Sequence, residues 1–148
     1  MDIDLANYVV TAQSGVSLEE LAHALQKEQV YSWLPATQDT LGGAFCSGCF
    51  PEFYATVIGI QVLLADGSLA RYGGKLTKNA AGYNLIRLFA GSQGSLGIVT
   101  ELTFKIFANK QSSLVPQPWR PLTRNVLWQR LKKTLDPQNT FCTPKEEA

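Results

Sequence analysis

A glycine-rich stretch that runs directly into a strand-like segment constrains the fold more than any other feature of the chain. Gly91, Gly94 and Gly97 lie within seven residues and precede an apolar, β-branched run from Ile98 to Ile106. Glycine has no Cβ, so it permits positive φ and lets a ligand approach the main chain closely. The run after it has the composition of a buried strand. The stretch therefore predicts either an ordinary turn before a core strand or a strip of main-chain amides that holds a flat, polar cofactor.

A second glycine cluster lies earlier, in the segment 35–48, and includes Gly42, Gly43 and Gly48. Between the clusters, the segment Thr56–Tyr72 reads as two strands joined by a hairpin turn at Asp66-Gly67. Consecutive hairpin strands mixed with helices favour an α+β fold over a doubly wound parallel sheet.

Capping residues and hydrophobic periodicity predict the remaining elements. Ser17 with Glu20 three residues later forms a capping box for a helix that ends near Glu28. Two further helices are predicted at Tyr83–Ala90, with Leu85, Leu88 and Phe89 facing inward, and at Arg124–Thr134, capped by Thr123, with Val126, Leu127, Arg130 and Leu131 on one side. Strands are predicted at Asn7–Thr11, Val30–Leu34, Thr56–Ala65, Ser68–Tyr72 and Ile98–Phe107, and loops at Pro35–Phe50 and Lys75–Asn84.

Composition bounds the class of protein. The chain has 148 residues, of which 45% are hydrophobic, and this is consistent with one domain that buries a core. A net charge of +1 provides no electrostatic basis for binding nucleic acid or an anionic membrane. The apolar runs are too short for a transmembrane helix, and the first residues lack the basic region of a signal peptide. We therefore expect a cytoplasmic protein.

The cysteines allow two interpretations. Cys46 and Cys49 have the CxxC spacing of redox and metal sites. A tetrahedral zinc site needs four ligands, and only Cys142 and the single histidine, His23, remain. The favoured explanation of Cys46 and Cys49 is that they pack within the loop that carries the first glycine cluster, and no metal site is predicted.

The amino-acid sequences of the glycine-rich segments resemble those of a known family. From Leu34 to Phe107 the chain is similar to the FAD-binding (PCMH-type) domain of the vanillyl-alcohol-oxidase-type flavoproteins, and within that family it most resembles the small FAD-binding subunit of glycolate oxidase. The matching segments, in the family's order and spacing, are Thr40–Gly43 (TLGG), Ala65–Gly67 (ADG), Gly73–Leu85 (GGKLTKNAAGYNL) and Leu88–Ile106 (LFAGSQGSLGIVTELTFKI). The C-terminal Asp136-Pro137 is also typical of the family, whereas Thr143-Pro144-Lys145 replaces the family's Asn-Pro-Gly.

The resemblance implies FAD as cofactor, a small 2-hydroxy acid such as glycolate as substrate, and a set of cofactor-binding residues. It carries over no catalytic residue, because the substrate-contacting residues of relatives lie largely in a cap lobe that is not recognisable here. The implied cofactor-binding residues are Pro35, Asp39, Thr40, Gly42, Gly43, Ser47, Gly48, Gly94, Ser95, Leu96, Gly97, Ile98 and Val99.

The resemblance also implies an organisation and a set of partners. Residues 1–108 correspond to the second lobe of the FAD-binding domain, residues 109–122 to a linker, and residues 123–148 to a C-terminal helix and the family's tail. The family's first lobe, with its pyrophosphate loop, is not recognisable before Val9. We therefore expect a subunit that is inactive alone and that acts with a larger flavoprotein subunit and an iron–sulfur subunit. One alternative is a cap-less, non-catalytic homologue that serves as an interaction module, and another is that the coding region begins upstream of Met1.

Overall fold

A computed structural model describes residues 1–74, 85–110, 112–118 and 125–143. The described part contains five strands, four α-helices and a 3₁₀ turn at Phe53–Ala55. The strands are β1 (Asp2–Asp4), β2 (Val9–Gln13), β3 (Val57–Leu63), β4 (Leu69–Gly73) and β5 (Ile98–Lys105), and the helices are α1 (Leu18–Lys27), α2 (Leu41–Ser47), α3 (Ile86–Phe89) and α4 (Val126–Leu135). All strand pairs are antiparallel, in the order β1–β2–β5–β3–β4. The predicted α+β class, with a mixed or antiparallel sheet flanked by helices, is thus confirmed, and the sheet of the described residues is antiparallel.

The centre of the sheet is β5, which pairs with β2 on one side and β3 on the other. Leu102 lies opposite both Ala12 and Ile60, and all three side chains are buried. Alternation along the strands places the neighbouring Thr11 and Thr103 on the other face, where their hydroxyls lie 2.9 Å apart. One face of the sheet therefore belongs to the core, and the other is polar.

The first helix forms as its sequence predicts. The Ser17 hydroxyl accepts a hydrogen bond from the Glu20 amide at 3.1 Å, and the Glu20 carboxylate accepts one from the Ser17 amide at 3.3 Å. Leu18, Leu21 and Leu25 are buried against the sheet. The helix ends at Lys27, with Glu28 as its C-cap, so the predicted capping box and C-terminal boundary are both confirmed.

The predicted strand at Val30–Leu34 is wrong. Within the described residues the only β-bridge of this segment is an isolated one at Tyr31, whose carbonyl accepts from the Phe107 amide and whose amide donates to the Phe107 carbonyl, each at 2.8 Å. Val30 and Leu34 are buried because they fill the core beneath α1, and the apolar composition of this segment reflects that burial.

The predicted loop at Pro35–Phe50 contains a helix, α2. Thr40 caps it by accepting a hydrogen bond from the Gly43 amide at 3.1 Å, and Gly48 ends it in the left-handed conformation. Leu41 and Phe45 are fully buried on its inner face. Glycine is unfavourable in helices by about 1 kcal/mol relative to alanine, so two adjacent glycines predicted a loop, and burial of the apolar face overrides that preference.

The two later helices also differ from the prediction. The described part of the Tyr83–Ala90 helix is α3, where Phe89 is buried but Leu85 is exposed. The predicted loop Lys75–Asn84 lies outside the described residues, as does Thr123. Asn125 caps α4 through its side-chain oxygen, which accepts from the Trp128 amide at 2.9 Å.

The predicted grouping of Val126, Leu127, Arg130 and Leu131 on one side of α4 does not mark the buried side. Val126 and Leu127 are 65% and 64% exposed, whereas Lys132 is buried at 7%. Trp128 and Leu135 pack against the core. The inward face of α4 therefore combines a polar anchor, Lys132, with the apolar contacts of Trp128 and Leu135.

Candidate glycine-loop site

The two glycine clusters meet at the C-terminal end of α2. The Gly91 amide donates to the Phe45 carbonyl at 3.0 Å, and the Gln93 amide donates to the Cys46 carbonyl at 2.9 Å. A Cβ on Gly48 would lie 3.8 Å from the Cα of Gly91. We call this contact region, residues 45–49 and 91–95, the glycine junction. The two glycine clusters, 40 to 50 positions apart in sequence, therefore lie side by side in the fold.

The predicted strip of unpaired amides is not present at Gly91–Ser95. Besides the two amides that bond α2, the Ser92 amide donates to the Phe89 carbonyl at 3.2 Å and the Ser95 amide donates to the Ser92 carbonyl at 3.0 Å. The Gly94 amide interacts with the Cys46 sulfur. These bonds hold the second loop in one shape, so a ligand here meets a preformed surface, and the amides of these five residues already have protein partners.

Most of the predicted residues in the segment 94–99 belong to the core. Ser95, Leu96, Gly97 and Val99 are buried, and the Ser95 hydroxyl donates to the Ser92 carbonyl at 2.6 Å. A Cβ on Gly97 would lie 2.7 Å from a methyl group of Val62. Close packing therefore explains this glycine. Ile98 is half exposed, and no heavy atom lies within 4 Å of a Cβ built on Gly94.

In the first cluster, the predicted residues lie at both ends of α2. At its N-terminal end, Asp39 is exposed and its carboxylate accepts from the Thr37 hydroxyl at 2.9 Å. Its main-chain carbonyl accepts from the Leu18 amide at 2.8 Å. At the other end, the Ser47 hydroxyl donates to the Ala44 carbonyl at 3.3 Å and accepts from the Cys49 amide at 3.2 Å. A helix of this length spans about 10 Å, so Pro35, Asp39 and Thr40 are separated from the glycine junction by the length of α2.

The glycines within α2 differ from each other in surroundings. A Cβ on Gly42 would lie 2.7 Å from the Cβ of Ser14, whose carbonyl accepts from the Gly42 amide at 2.8 Å. Gly43 is exposed, and the nearest neighbour of a Cβ there would be the Thr40 hydroxyl at 3.0 Å. Gly42 therefore lets α2 approach the β2–α1 turn, and Gly43 is the member of the pair that faces outward.

Burial raises the pKa of two acidic side chains, Cys46 at the junction and Tyr54 beside it. Desolvation raises the pKa of the Cys46 thiol to about 11, and the Gly94 amide offsets part of this rise. Desolvation and the neighbouring thiols of Cys46 and Cys49 raise the pKa of the Tyr54 hydroxyl to about 12, with a smaller opposing effect of the Gly48 amide. Because a thiolate is the reactive form of cysteine, a raised pKa disfavours the redox interpretation of the CxxC pair. No group of three or more His, Cys, Asp and Glu side chains in the described ranges is placed to hold a metal ion.

The C-terminal segment contributes a contact that the sequence interpretation missed. Lys132 of α4 donates to the Ser95 carbonyl at 2.7 Å and to the Asp136 carboxylate at 2.5 Å. The sequence analysis identified Asp136-Pro137 as typical of the family but assigned no role to Lys132. The signal available in the sequence was the spacing, since a lysine and an aspartate four residues apart face each other on a helix.

A cavity of about 460 Å³ lies away from the glycine junction, between the β3–β4 turn and the segment after α4. Leu64, Asp66, Leu135 and Thr140 are among the residues that line it. None of its lining residues is among those predicted to bind the cofactor.

The glycine junction is compatible with a polar, flat ligand such as a flavin dinucleotide. The space beside Gly94 is open, and Gly43, nearer the N-terminal end of α2, is exposed. Two buried hydroxyls of this region, those of Tyr54 and Ser92, have no partner of hydrogen-bonding geometry within the described residues, and the Gly48 amide acts on the Tyr54 hydroxyl only weakly. Because buried polar groups are normally hydrogen-bonded, these hydroxyls are suited to a polar ligand or to water held beside one.

Comparison with known proteins identifies the family. Residues 1–73 match the family model of the FAD binding domain. The chain is 36% identical over 141 residues to glycolate oxidase subunit GlcD of Bacillus subtilis, an alignment that covers 88% of this chain and 28% of that protein. It is 34% identical over 121 residues to a D-lactate dehydrogenase of Anaerostipes hadrus, covering 74% and 25%. It is 32% identical over 130 residues to glycolate oxidase subunit GlcE of Escherichia coli, covering 77% and 36%.

A solved structure has the same fold. An alkyldihydroxyacetonephosphate synthase superposes with a TM-score of 0.60 at 23% identity, over 73% of this chain and 21% of that one. The chain spans about a quarter of the length of two of these relatives, GlcD of Bacillus subtilis and the D-lactate dehydrogenase of Anaerostipes hadrus. None of the helices in the described ranges is both long and apolar enough to cross a membrane. On the family match, the relatives and the fold, the chain belongs to the PCMH-type FAD-binding flavoproteins and its cofactor is FAD.

Proposed function

We propose that this chain is the FAD-binding part of a flavin-dependent oxidoreductase that oxidises a small 2-hydroxy acid such as glycolate or lactate. The observation that carries the proposal is the glycine junction, where backbone hydrogen bonds join α2 to the second loop and leave Gly94 facing open space. The substrate class is supported by the names of the relatives, which include glycolate oxidase subunits and a D-lactate dehydrogenase.

The chain's own residues bind and orient the cofactor in this proposal. When bound, FAD supplies the acceptor for two electrons and a proton from the substrate. Gly43, Gly48 and Gly94 provide surfaces without side chains, and Ile98 provides an apolar contact at the start of β5. Pro35, Asp39 and Thr40, at the far end of α2, are proposed to contact the adenosine and phosphate side.

The proposed organisation is that of a subunit. Residues 1–108 form the FAD lobe, residues 109–122 connect it, and residues 123–148 form the C-terminal helix and tail. A larger flavoprotein subunit and an iron–sulfur subunit complete the enzyme. The similarity to both GlcD and GlcE, two subunits of glycolate oxidases, supports the multi-subunit part of this proposal.

The experiment titrates the purified chain with FAD and with FMN, each followed by the change in flavin fluorescence, and with ADP, which has no flavin, followed by isothermal titration calorimetry. We expect saturable binding of FAD. ADP binding without FMN binding would assign the affinity to the Asp39 end of α2, and the reverse would assign it to the glycine junction. A folded chain that binds none of the three ligands would contradict the proposal and favour the non-catalytic interaction module.

A matched pair of variants locates the site. Gly94 and Gly67 both have positive φ, at +72° and +82°, and at neither residue does any atom lie within 4 Å of the position that a Cβ would take. Leucine therefore imposes similar backbone strain at both. We expect Gly94→Leu to weaken FAD binding at least tenfold and Gly67→Leu, in the β3–β4 turn, to leave it unchanged. Equal FAD affinities of the two variants would contradict the placement of the cofactor.

A further inference from the structure

We propose that Lys132 is a positioning residue for the cofactor loop, and that it acts through the carbonyl of Ser95. The inference rests on the proposed function, because it assigns a role in flavin binding to a residue outside both glycine clusters. It concerns a residue of α4, a helix that follows the whole FAD lobe in sequence.

The ammonium group of Lys132 has one acceptor for each of its three hydrogens. It donates to the Ser95 carbonyl at 2.7 Å, to Oδ2 of Asp136 at 2.5 Å and to the Phe141 carbonyl at 2.9 Å. An ammonium group has three donors and no acceptor, so its hydrogen-bonding capacity is completely used. A buried lysine with this set of partners is fixed in position and connects three separate segments of the chain.

Asp136 completes the other side of this contact. Its side chain is fully buried, and its two oxygens accept from the Thr140 amide at 2.7 Å and the Phe141 amide at 2.8 Å. Burial alone acts to raise the pKa of Asp136, but the hydrogen bonds from Lys132, Phe141 and Thr140 and the charge of Lys132 outweigh it and lower the pKa well below its usual range. The carboxylate therefore stays charged at neutral pH and holds Lys132 toward the loop.

Ser95 is the residue through which the anchor reaches the site. Its amide and its hydroxyl both donate to the Ser92 carbonyl, at 3.0 and 2.6 Å. Its carbonyl is the third polar group, and it accepts from Lys132. All three polar groups of Ser95 are thus fixed, and the adjacent Gly94 presents the open surface. Loss of the Lys132 contact leaves a buried carbonyl without its cation and frees the peptide that follows Ser95 to rotate.

The variants are chosen to separate position from stability. Lys132→Met alone leaves the buried Asp136 charge uncompensated, which is strongly destabilising. The double variant Lys132→Met/Asp136→Asn removes both charges and retains one side-chain oxygen, which accepts from the Thr140 amide, while its side-chain nitrogen cannot replace Oδ2 as the acceptor for the Phe141 amide. Lys132→Arg keeps the charge but replaces the single nitrogen with a larger planar group. Lys133→Met, at the exposed neighbour on α4, is the matched control.

Two measurements are made on each variant. The first is FAD affinity by fluorescence titration, together with the visible circular dichroism of the bound flavin. The second is hydrogen exchange of the chain without FAD, comparing the loop 91–97 with α1. For the double variant we expect FAD binding about tenfold weaker, an effect of the size of one lost hydrogen bond to a charged group. We also expect faster exchange in the loop, unchanged exchange in α1 and an altered flavin dichroism.

The control and Lys132→Arg extend the test. Lys133→Met is expected to match the wild type in both measurements. Lys132→Arg is expected to remain folded and to weaken FAD binding, and it decides the question if the double variant does not fold. Wild-type FAD affinity and loop exchange in a folded Lys132 variant would overturn the proposal. If the wild-type chain itself binds no FAD, the proposed function fails, while loop exchange still decides whether Lys132 positions the loop.

Discussion

At the scale of single residues, the glycines of the two clusters fall into two groups with different physical roles. Gly42 and Gly97 are glycine because the protein itself occupies the space of a side chain, with Ser14 and Val62 each 2.7 Å from a Cβ position. Gly94 has open space beside it. The sequence shows only that glycine is present, and the neighbours that distinguish the two groups are distant in the chain. For that reason the cofactor-binding role predicted for all of them is retained most strongly for Gly94.

Gly97→Ala is expected to destabilise the chain by about 1–3 kcal/mol, the usual cost of overpacking a core. The added methyl would lie 2.7 Å from Val62, 3.1 Å from the Leu63 carbonyl and 3.3 Å from the ring of Phe89. The free energy of unfolding in urea measures the effect. Gly15→Ala, where no atom lies within 4 Å, is the control. A loss of stability equal to that of the control would show that the loop can shift to accommodate the methyl.

The thiol of Cys46 predicts a loss of stability at alkaline pH. Its pKa is raised by burial from 9.0 to about 11. The folded state therefore keeps the proton at a pH where the unfolded chain releases it, so the stabilising contribution is complete below pH 9 and is lost as the pH rises to 11. Two pKa units correspond to about 2–3 kcal/mol. Urea unfolding of Cys46→Ala should show a shallower decline over this range than the wild type, and parallel curves would refute the assignment.

At the scale of elements, α2 shows most clearly how tertiary contacts override local preference. Alanine is the better helix former by about 1 kcal/mol, which alone would make Gly42→Ala stabilising. The Ser14 side chain and carbonyl, 2.7 and 3.2 Å from the new Cβ, oppose it. We expect net destabilisation by about 1–2 kcal/mol, measured by thermal unfolding. Ser14→Gly should restore part of the stability that Gly42→Ala loses when the two substitutions are combined. Ser14→Gly alone should not stabilise the wild type. Independent, additive effects of the two substitutions would exclude the contact as the cause.

Elements with strong local signals were predictable, and elements decided by distant contacts were not. The capping box of Ser17 and the apolar runs of β3 and β5 are local, and each produced the predicted element. On α4, Lys132 reaches the carbonyl of Ser95, which lies 37 positions earlier. The predicted grouping of Val126 and Leu127 on one side of α4 contains no sign of that contact, and both residues are exposed. The helix α2 was missed for a similar reason, because contacts with residues distant in the chain bury its apolar face.

At the scale of the whole molecule, the C-terminal segment packs against the middle of the chain, at the glycine junction. β5 pairs with both β2 and β3, so the N-terminal strands and the central hairpin already form one sheet. α4 then returns to the second glycine loop through Lys132, and the Gln117 amide donates to the Cys49 carbonyl at 2.8 Å in the preceding segment. The candidate site was predictable as two glycine clusters, because each cluster is a motif within one short, contiguous segment of the sequence. Its connection to the C-terminal segment was not, because a buried ion pair is visible only once the chain is folded.

This closure predicts a loss of stability in acid. Desolvation acts to raise the pKa of Asp136, but Lys132 and the amides of Phe141 and Thr140 outweigh it. The pKa is therefore lowered from its ordinary value of 3.8. For a lowered carboxyl pKa, the stabilising contribution is complete above the ordinary value and is lost as the pH falls below it. We therefore expect the unfolding free energy of the wild type, followed by circular dichroism in urea, to fall steeply below about pH 4. Lys132→Met/Asp136→Asn should start from a lower stability at neutral pH and decline less in acid, since it has no carboxylate there to protonate. An acid decline of the same steepness in both proteins would mean that other carboxylates control acid unfolding and that the Lys132–Asp136 pair does not hold the C-terminal segment on the fold.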